Sequence, residues 1–417
     1  MRAVFIFTLL LAQVFCATYY LSPDGSDEGG DGSQYSPFKT VAKVVVVFNS
    51  TQDPTEPLEL YFYPGVYGGK DNVGFSFTVP LTFYYSPNNS LAAGQAFGVQ
   101  FDCTSAASVP CFSSTTSITV SGAYPSENSP FSVLLFSYCS ICLSVDNISN
   151  NINYYNTISV NGVLFEEISE EAIFGYSLYS VEITNSYFSS AQATTLSFIA
   201  LFNIENEIII QTSYFEAPNK SALAIANTTN TVVKGCTFIN TFISITGQNQ
   251  IGSRVILDSN LFFTSSGLAP YVITLQTGTF AIKNSTVTCS QIGAIRVIDS
   301  GSTSITNSTF QMGVAQNGGA GYFANVATLT ISGNSQFYSN IATFYGGGIY
   351  LANSTVHMAD TQFSDNAAVD GSAIGCSGNG ETVFYDNTVL FTGSQGSGPS
   401  PTYIQNTCKQ VQTISNY

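Results

Sequence analysis

One short phrase recurs along most of this chain: an apolar residue, a polar one, a small polar residue or Asn, two further positions, and then usually Phe. The repeat runs from Phe165 to Val389, and successive copies lie 23 to 27 residues apart. The residues between copies form short β-branched runs without helical periodicity. A repeat of this length indicates one supersecondary unit that is stacked many times as a solenoid.

The repeat also predicts what each position does. The residue five places before the closing position is apolar, as in Ile183 and Ile210, whereas the next residue is polar, as in Thr184 and Gln211. This alternation predicts a strand with one buried face. Three places before the end, residues that tolerate a left-handed backbone predict a sharp bend, where asparagines can stack as an amide ladder. These are Asn185, Thr212, Gly235, Ser259, Asn284, Asn307, Asn334 and Asp360.

The pattern therefore predicts an all-β fold, a single-stranded parallel β-helix that occupies residues 58–392 in about a dozen coils. The open ends of such a solenoid need covers. Residues 36–44 combine a capping Ser, Pro at the first helical position and apolar residues at helical spacing, which predicts an amphipathic cap helix. We expect it to lie within an N-terminal lead-in, 17–57. A Gly/Ser/Pro-rich stretch ends the repeat, so residues 393–417 are predicted to form a C-terminal lid.

Residues 1–16 have the features of a secretory signal peptide. Arg2 gives a positive start, an apolar run follows, and Val14 and Cys16 suit the cleavage site. The apolar run is shorter than the ~20 residues that cross a bilayer. We therefore expect cleavage before Ala17 and an extracellular protein that is not inserted in a membrane. N-x-Ser/Thr sequons fit this route and are predicted glycan acceptors: Asn49, Asn88, Asn147, Asn219, Asn227, Asn284, Asn307 and Asn353.

The cysteine count permits disulfides, because eight of the nine cysteines remain once Cys16 is removed. Cys103 and Cys111 enclose a short loop and are expected to pair. Cys376 with Cys408 is the second expected pair, and it would attach the C-terminal lid to the solenoid.

The predictions for the other four cysteines differ. Cys139 and Cys142 form a C-x-x-C sequence that is compatible with a redox pair or half of a zinc site, although without a second pair beside it a local disulfide is favoured. Cys236 and Cys289 lie two coils apart, about 10 Å by the coil spacing. That separation exceeds the ~7 Å limit for a disulfide, so both are predicted to be free.

Two parts of the sequence resemble known families. Residues 19–27, a Gly-rich gap and residues 36–41 together resemble the lead-in of the pectin-lyase-like right-handed parallel β-helix superfamily. The F-x-x-N and G-G-x-I repeats of polymorphic outer-membrane proteins are similar to two pairs of segments: 337–340 with 346–349, and 363–366 with 371–374. The resemblance implies a right-handed β-helix and is compatible with either an enzyme or an adhesin.

Few residues are available for the chemistry that this resemblance implies. The family's pectin-degrading hydrolases carry Asn-Thr-Asp, Asp-Asp, Gly-His-Gly and Arg-Ile-Lys segments, and the sequence contains none of them. Its lyases need a base beside a uronate, yet Arg254 and Arg296 are the only arginines after the leader. The single histidine, His357, precedes an inward residue and is expected to face solvent. A net charge of −16 disfavours nucleic acid and anionic membranes as partners.

Carboxylates are the remaining candidates. Glu166, Glu167, Glu170 and Glu171 follow Phe165 in one predicted turn. Two of them can act as general acid and base of a glycosidase if they lie about 5–10 Å apart. They can also bind Ca²⁺ through oxygen ligands, or form an ordinary solvated turn.

Two further sets of residues are weaker candidates. Asp365 and Asp370 can contribute to a Ca²⁺ site near the C-terminus. Outward tyrosines can stack on neutral sugar rings: Tyr154, Tyr155, Tyr176, Tyr179 and Tyr187.

The sequence thus favours a secreted, non-catalytic β-helix that presents a surface to glycans, cell-surface proteins or matrix proteins. No cofactor is required, although Ca²⁺ is compatible with the acidic residues. The alternative is a polysaccharide hydrolase or lyase that uses Glu166, Glu167, Glu170 and Glu171. A third class is a structural protein that Ca²⁺ stabilises.

Overall fold

The computed structural model describes residues 16–51, 56–86, 98–106, 109–122, 134–146, 156–191, 197–248, 252–265, 269–378, 381–393, 395–396 and 403–412. They form an all-β parallel solenoid of the right-handed type with about 12 turns. This confirms the parallel β-helix that the repeat predicted and the resemblance implied. The predicted signal peptide lies outside the described residues, apart from Cys16. Within the described part, no helix is both long and apolar enough to span a membrane.

Three parallel ladders, A, B and C, run along the solenoid. Ladder A contains the strands Ala17–Leu21, Leu58–Phe62, Leu81–Tyr85, Ile118–Ser121, Thr157–Asn161, Ser180–Thr184, Glu207–Gln211, Asn230–Lys234, Arg254–Asp258, Leu329–Ser332, Thr355–Met358, Thr382–Tyr385 and Lys409–Gln412. It also includes the C-terminal parts of the long strands Tyr271–Lys283 and Gly293–Thr306.

Ladder B contains Gly65–Gly68, Val99–Asp102, Leu134–Ser137, Val163–Glu166, Tyr187–Ser189, Leu261–Thr264, Thr286–Cys289, Thr309–Gln311, Ser335–Tyr338, Thr361–Ser364 and Leu390–Thr392. The long strands Tyr214–Thr228 and Thr237–Gly247 begin in ladder B and continue into ladder C.

Ladder C contains Phe75–Phe77, Phe112–Ser114, Ile141–Asp146, Glu171–Tyr176, Ser197–Ile204, Gly321–Ala324, Ile349–Ala352 and Ile374–Cys376, together with the N-terminal parts of the two long ladder A strands. A short fourth ladder is formed by Val314–Asn317, Ile341–Tyr345, Ala367–Ala368 and Gln395–Gly396. The remaining elements are a 3₁₀ turn, Cys103–Ala106, and an α-helix, Val41–Thr51.

The core consists of aligned columns of side chains. On ladder A, Ile183 pairs with Ile210, and both are fully buried as the repeat predicted. On ladder B, the closing phenylalanines from Phe165 to Phe262 stack face to face, with ring centroids 4.5–4.9 Å apart. That distance equals the spacing of neighbouring strands. Phe188, Phe215 and Phe238 therefore each pack between the rings of the coils before and after them.

The last copy of the repeat corrects the predicted alignment. Phe391, and not Val389, pairs with Phe363 in ladder B. The two rings stack with centroids 5.5 Å apart. Spacing alone could not distinguish two apolar residues that lie two positions apart.

The predicted bends have the backbone that the repeat required. All eight residues of the bend column have positive φ, between 46° and 61°. Two of them form a side-chain ladder across the coils with the neighbouring Asp258, because Asn307 Nδ2 donates to Asn284 Oδ1 and Asn284 Nδ2 donates to Asp258 Oδ1, both at 2.9 Å. These bonds satisfy the amide groups of Asn284 and Asn307 and link three successive coils.

The two repeats near the C-terminus have a structural explanation. Asn340 and Asn366, the last residues of the F-x-x-N segments, are fully buried. Their amide nitrogens donate to the carbonyls of Phe310 and Phe337, at 3.1 and 2.8 Å. In the G-G-x-I segment, Gly346 has φ +65°, and a Cβ there would collide with the Ile349 carbonyl oxygen. These motifs maintain tight corners between coils.

The ladders extend past the expected limits of the repeat. Ala17–Leu21 pairs with Leu58–Phe62 at the N-terminal end, and Lys409–Gln412 pairs with Thr382–Tyr385 at the C-terminal end. The helix Val41–Thr51 overlaps the predicted helix, 36–44, only in its first turn. Ser36 and Phe38 lie in β-bridges, and Thr40, not Ser36, accepts the Lys43 amide at the start of the helix. The helix buries three residues in the continuous core: Val41, Val44 and Phe48. Its role as a cap over the first coil remains a prediction.

Candidate functional site

The outer surface of ladder B carries two rows of side chains beside the buried phenylalanines. Leu164, Tyr187 and Tyr214 pair in one row, which precedes the phenylalanine column. Glu166 and Glu216 lie in the other row, with one coil between them. At the coil spacing of a parallel sheet, their Cα atoms are separated by about 10 Å. Two aromatic rings and two carboxylates thus share one outer face.

Tyr187 and Tyr214 form a rigid pair. Their rings are nearly parallel, at 4°, with centroids 4.8 Å apart. Both hydroxyls donate to Oε2 of Glu216, each at 3.2 Å. Burial and the nearby Glu216 charge raise the pKa of Tyr187 to about 12, so both rings stay neutral donors in ordinary buffers. Thr237 follows Tyr214 in the row, and its small side chain leaves that side of the ring without an aromatic neighbour.

Glu166 is the predicted acid that faces this surface. It ends the strand Val163–Glu166, directly after the buried Phe165. Partial burial, and then the charge of Glu167, raise the pKa of the Glu166 carboxyl. Glu167 itself has φ +52° and begins the corner between ladders B and C.

The structure separates the four glutamates that the sequence placed in one turn. Glu171 begins a ladder C strand, whereas Glu167 and Glu170 lie in the corner that precedes it. Burial, and then the charge of Glu170, raise the pKa of Glu171. Of these four glutamates, only Glu166 therefore belongs to the outer face of ladder B.

A buried cation that the sequence analysis missed lies in this corner. Lys220 is fully buried, and its Nζ donates to the carbonyl oxygen of Ile168 at 2.9 Å. The ammonium also lies 4.6 Å from the centroid of the Phe198 ring. Burial lowers the pKa of Lys220 to about 8, although the charges of Glu171 and Glu170 oppose this shift. The available signal was that Lys220 occupies the same corner of the repeat two coils after the glutamates.

The predicted Ca²⁺ ligands do not form a cluster. Asp365 lies in a turn with φ +54°, and Oδ1 of Asp370 accepts the Gly371 amide at 2.8 Å. Among the described residues, no three carboxylates place their oxygens close enough to share a metal ion. The one group of three potential metal ligands there consists of the sulfurs of Cys103, Cys111 and Cys139. Ca²⁺ binding at Asp365 and Asp370 remains a prediction.

The other aromatic candidates have separate locations. Tyr154 and Tyr155 lie outside the described residues. Tyr176 is 42% exposed on ladder C, and Tyr179 is half-buried. His357 faces solvent on ladder A, and its ring stacks in parallel on Phe384 with centroids 4.5 Å apart.

The predicted glycan acceptors also differ in environment. Asn88 and Asn147 lie outside the described part of the chain, Asn49 is exposed on the helix, and Asn219 is half-buried. Four others are exposed but use their amide nitrogens in side-chain hydrogen bonds between coils: Asn227, Asn284, Asn307 and Asn353. Glycan attachment at all eight remains a prediction.

The cysteines pair as their spacing favoured. Disulfides join Cys103 to Cys111 and Cys376 to Cys408, with Cα atoms 5.6 and 5.4 Å apart. A third disulfide, within the C-x-x-C sequence, joins Cys139 to Cys142. The two cysteines that were expected to be free, Cys236 and Cys289, are unpaired and buried.

No family model and no curated protein matches this sequence. Solved structures with a similar course of the chain include a rhamnogalacturonan lyase, which is 12% identical over 96% of this chain and 87% of that chain, with a TM-score of 0.32. Another is the A-module of the Azotobacter vinelandii mannuronan C-5 epimerase AlgE6, which is 10% identical over 90% of this chain and 94% of that chain, with a TM-score of 0.35. A third is XylC in complex with xylose, which is 9% identical over 96% of this chain and 86% of that chain, with a TM-score of 0.39. At these levels of similarity, the strand ladders themselves establish the fold.

Proposed function

We propose that this chain is a secreted, non-catalytic β-helix whose ladder B surface binds neutral glycans. The observation that carries the proposal is the Tyr187–Tyr214 pair, stacked at 4.8 Å on the outer face with both hydroxyls held by Glu216. Three disulfides among the described residues are typical of proteins in oxidising, extracellular compartments. They support the export that the leader sequence predicted.

The pair offers the two kinds of contact that a sugar requires. A sugar ring placed over Thr237 would continue the aromatic row, with its C–H face against Tyr214. Both tyrosines use Oε2 of Glu216, so Oε1 remains available to accept a sugar hydroxyl. The rings are already fixed by stacking and hydrogen bonds, which reduces the entropy that binding costs.

The charge of the protein favours a neutral ligand. With a net charge of −16, the chain repels polyanionic glycans unless cations bridge the two. Glu166 and Glu216 add negative charge at the surface itself. We therefore expect uncharged hexose or pentose chains to bind better than uronate chains.

Replacing Tyr214 with Ala is expected to weaken glycan binding about tenfold, because the loss of an aromatic contact of roughly 1.4 kcal/mol corresponds to that factor. An array of neutral and uronate oligosaccharides would identify the ligand, and calorimetry would then measure both affinities. The matched control is Tyr35→Ala, which removes an exposed tyrosine of the N-terminal lead-in and should leave affinity unchanged. Equal affinity of the Tyr214 variant and the wild type, or retention of uronate chains alone, would contradict the proposal.

The geometry also favours one form of the enzymatic alternative. Glu166 has a raised pKa, as a general acid needs, and Glu216 lies two coils away on the same face. A separation of about 10 Å between Cα atoms is compatible with the 6.5–9.5 Å between carboxyl groups of an inverting glycosidase. Lys220 is fully buried and therefore does not provide the exposed base that a lyase needs.

If the chain hydrolyses a polysaccharide, Glu166→Gln and Glu216→Gln should each lower kcat at least 100-fold, since each removes one half of the acid–base pair. The release of reducing ends from a panel of neutral polysaccharides would measure this. Glu182→Gln changes an exposed glutamate on ladder A and serves as the control. Turnover by the wild type would refute the non-catalytic proposal, and undiminished turnover by both variants would remove this pair from the alternative.

A further inference from the structure

Two disulfides lie against each other at one corner of the solenoid. Cys103–Cys111 closes the corner between ladders B and C in one coil, and Cys139–Cys142 closes the same corner in the next coil. All four cysteines are 0–1% exposed. The sulfur atoms of Cys103, Cys111 and Cys139 all lie within 4.8 Å of one another, and Cys142 is bonded to Cys139. The fold therefore places a second cysteine pair beside the C-x-x-C sequence.

We propose that these four cysteines form a redox-controlled metal site, which binds one Zn²⁺ ion when both disulfides are reduced. Four thiolates are a ligand set that Zn²⁺ accepts in structural sites, and C-x-x-C is a common half of such a site. The sequence alone offered only that half. Cys103 and Cys111, which precede it by one coil, supply the other half.

The geometry requires only small movements. A tetrahedral site with Zn–S bonds of about 2.3 Å has sulfur atoms about 3.8 Å apart. The Cys139 sulfur lies within 4.8 Å of the Cys103 and Cys111 sulfurs and must approach them by at most about 1 Å, whereas Cys142 lies outside this group and must turn toward it when its bond to Cys139 opens. Sulfurs within each pair must separate by about 1.7 Å from their disulfide distance. Rotation about the Cα–Cβ bonds can provide both movements while the backbone stays in its ladders.

The backbone at this corner is already held by the fold. The Cys111 amide donates to the Ile141 carbonyl of the next coil at 2.8 Å. On either side, Phe101 pairs with Phe136 and Phe112 pairs with Leu143, so both coils are in register at the site. These contacts do not depend on the disulfides, and they keep the cysteines close after reduction.

The chemistry balances with a trialkylphosphine as reductant. Each disulfide takes up two electrons from one phosphine, water supplies the oxygen of the phosphine oxide, and two thiols form. The four thiols then lose four protons as Zn²⁺ binds, because the metal binds the thiolate form. Metal binding should therefore release protons and become tighter as pH rises from 6 to 8.

Co²⁺ provides a visible probe for the experiment. The full chain is reduced anaerobically with the phosphine, both as folded protein and during refolding, and is titrated with Co²⁺. We expect one Co²⁺ per chain, with the intense visible and near-ultraviolet absorption of a tetrahedral tetrathiolate complex. Zn²⁺ should displace Co²⁺ and remove the colour. The same titration of the oxidised protein should give no such absorption.

Two variants locate the metal. Cys139→Ser should lose the tetrathiolate spectrum, whereas a Cys376→Ser/Cys408→Ser variant, which removes the distant disulfide, should retain it. Circular dichroism and a thermal melt with and without Zn²⁺ test whether the metal binds the folded solenoid. Absence of the absorption, its persistence in Cys139→Ser, or loss of β-sheet signal on reduction that Zn²⁺ does not restore would each overturn the proposal.

Discussion

Replacing Phe238 with Ala is expected to lower the free energy of unfolding by about 3–5 kcal/mol. The side chain is fully buried, and its ring stacks between Phe215 and Phe262, at 4.9 and 4.5 Å. The substitution removes buried apolar surface and leaves a cavity between the rings of Phe215 and Phe262. The neighbouring rings cannot close that cavity, because the strand ladder fixes their spacing.

A solenoid should respond to this change mainly near the altered coil. Each coil contacts only its neighbours, so the lost energy lies in two inter-coil interfaces. Urea unfolding followed by circular dichroism would measure the overall loss. Hydrogen exchange should show faster opening of the coils that contain Phe215, Phe238 and Phe262 than of distant coils.

The neighbouring strand offers a matched control. Phe263 belongs to the strand Leu261–Thr264, but its side chain is 48% exposed on the outer face. Phe263→Ala should change stability by no more than about 0.5 kcal/mol. Similar losses in the two variants, or an unaffected Phe238 variant, would show that the phenylalanine column is not the core of the solenoid.

The sequence predicted those parts of the fold that each coil determines locally. The alternation around Ile183 and the left-handed bend at Asn185 recur in every clear copy, because each coil must turn at the same place to stack on the next. The alignment of Phe391 could not be predicted in this way. Val389 and Phe391 are both apolar, and only strand pairing distinguishes them.

The candidate site depended on contacts between coils, which spacing in the sequence does not reveal. The sequence identified Glu166 and Tyr187 but not Tyr214 or Glu216, whose importance comes from their partners one or two coils away. It also grouped the four glutamates between positions 166 and 171 as one site. Strand ends and a corner separate them, and that corner contains Lys220.

The stability of the wild-type protein relative to a Lys220→Met variant is expected to rise between about pH 8 and pH 10. Burial lowers the pKa of Lys220 to about 8 in the folded chain, whereas an unfolded lysine titrates near 10.4. Between these values the unfolded state binds more protons, so raising the pH favours folding. A shift of this size corresponds to about 3 kcal/mol.

The wild type and the Lys220→Met variant should therefore exchange their order of stability as the pH rises. At pH 7 the wild type carries a buried ammonium that the variant lacks, so Lys220→Met is expected to be the more stable protein. Near pH 10 the neutral amine no longer carries this cost and can still donate to the Ile168 carbonyl, which Met cannot do. The wild type should then equal or exceed the variant. Urea unfolding at pH 7, 8, 9 and 10 measures the crossover.

Comparison with an exposed lysine separates this effect from general alkaline effects. Burial raises the pKa of the Cys236 and Cys289 thiols to about 12, and the pKa of tyrosines such as Tyr61 and Tyr187 is also raised to about 12. These groups lower stability as unfolded cysteines ionise near pH 8.5 and unfolded tyrosines near pH 10. They do so equally in every variant. Lys234→Met removes an exposed lysine from ladder A and should follow the wild-type profile. Parallel profiles for Lys220→Met and Lys234→Met would mean that the cation in the corner beside Glu170 and Glu171 is solvated, and that this corner is open to water.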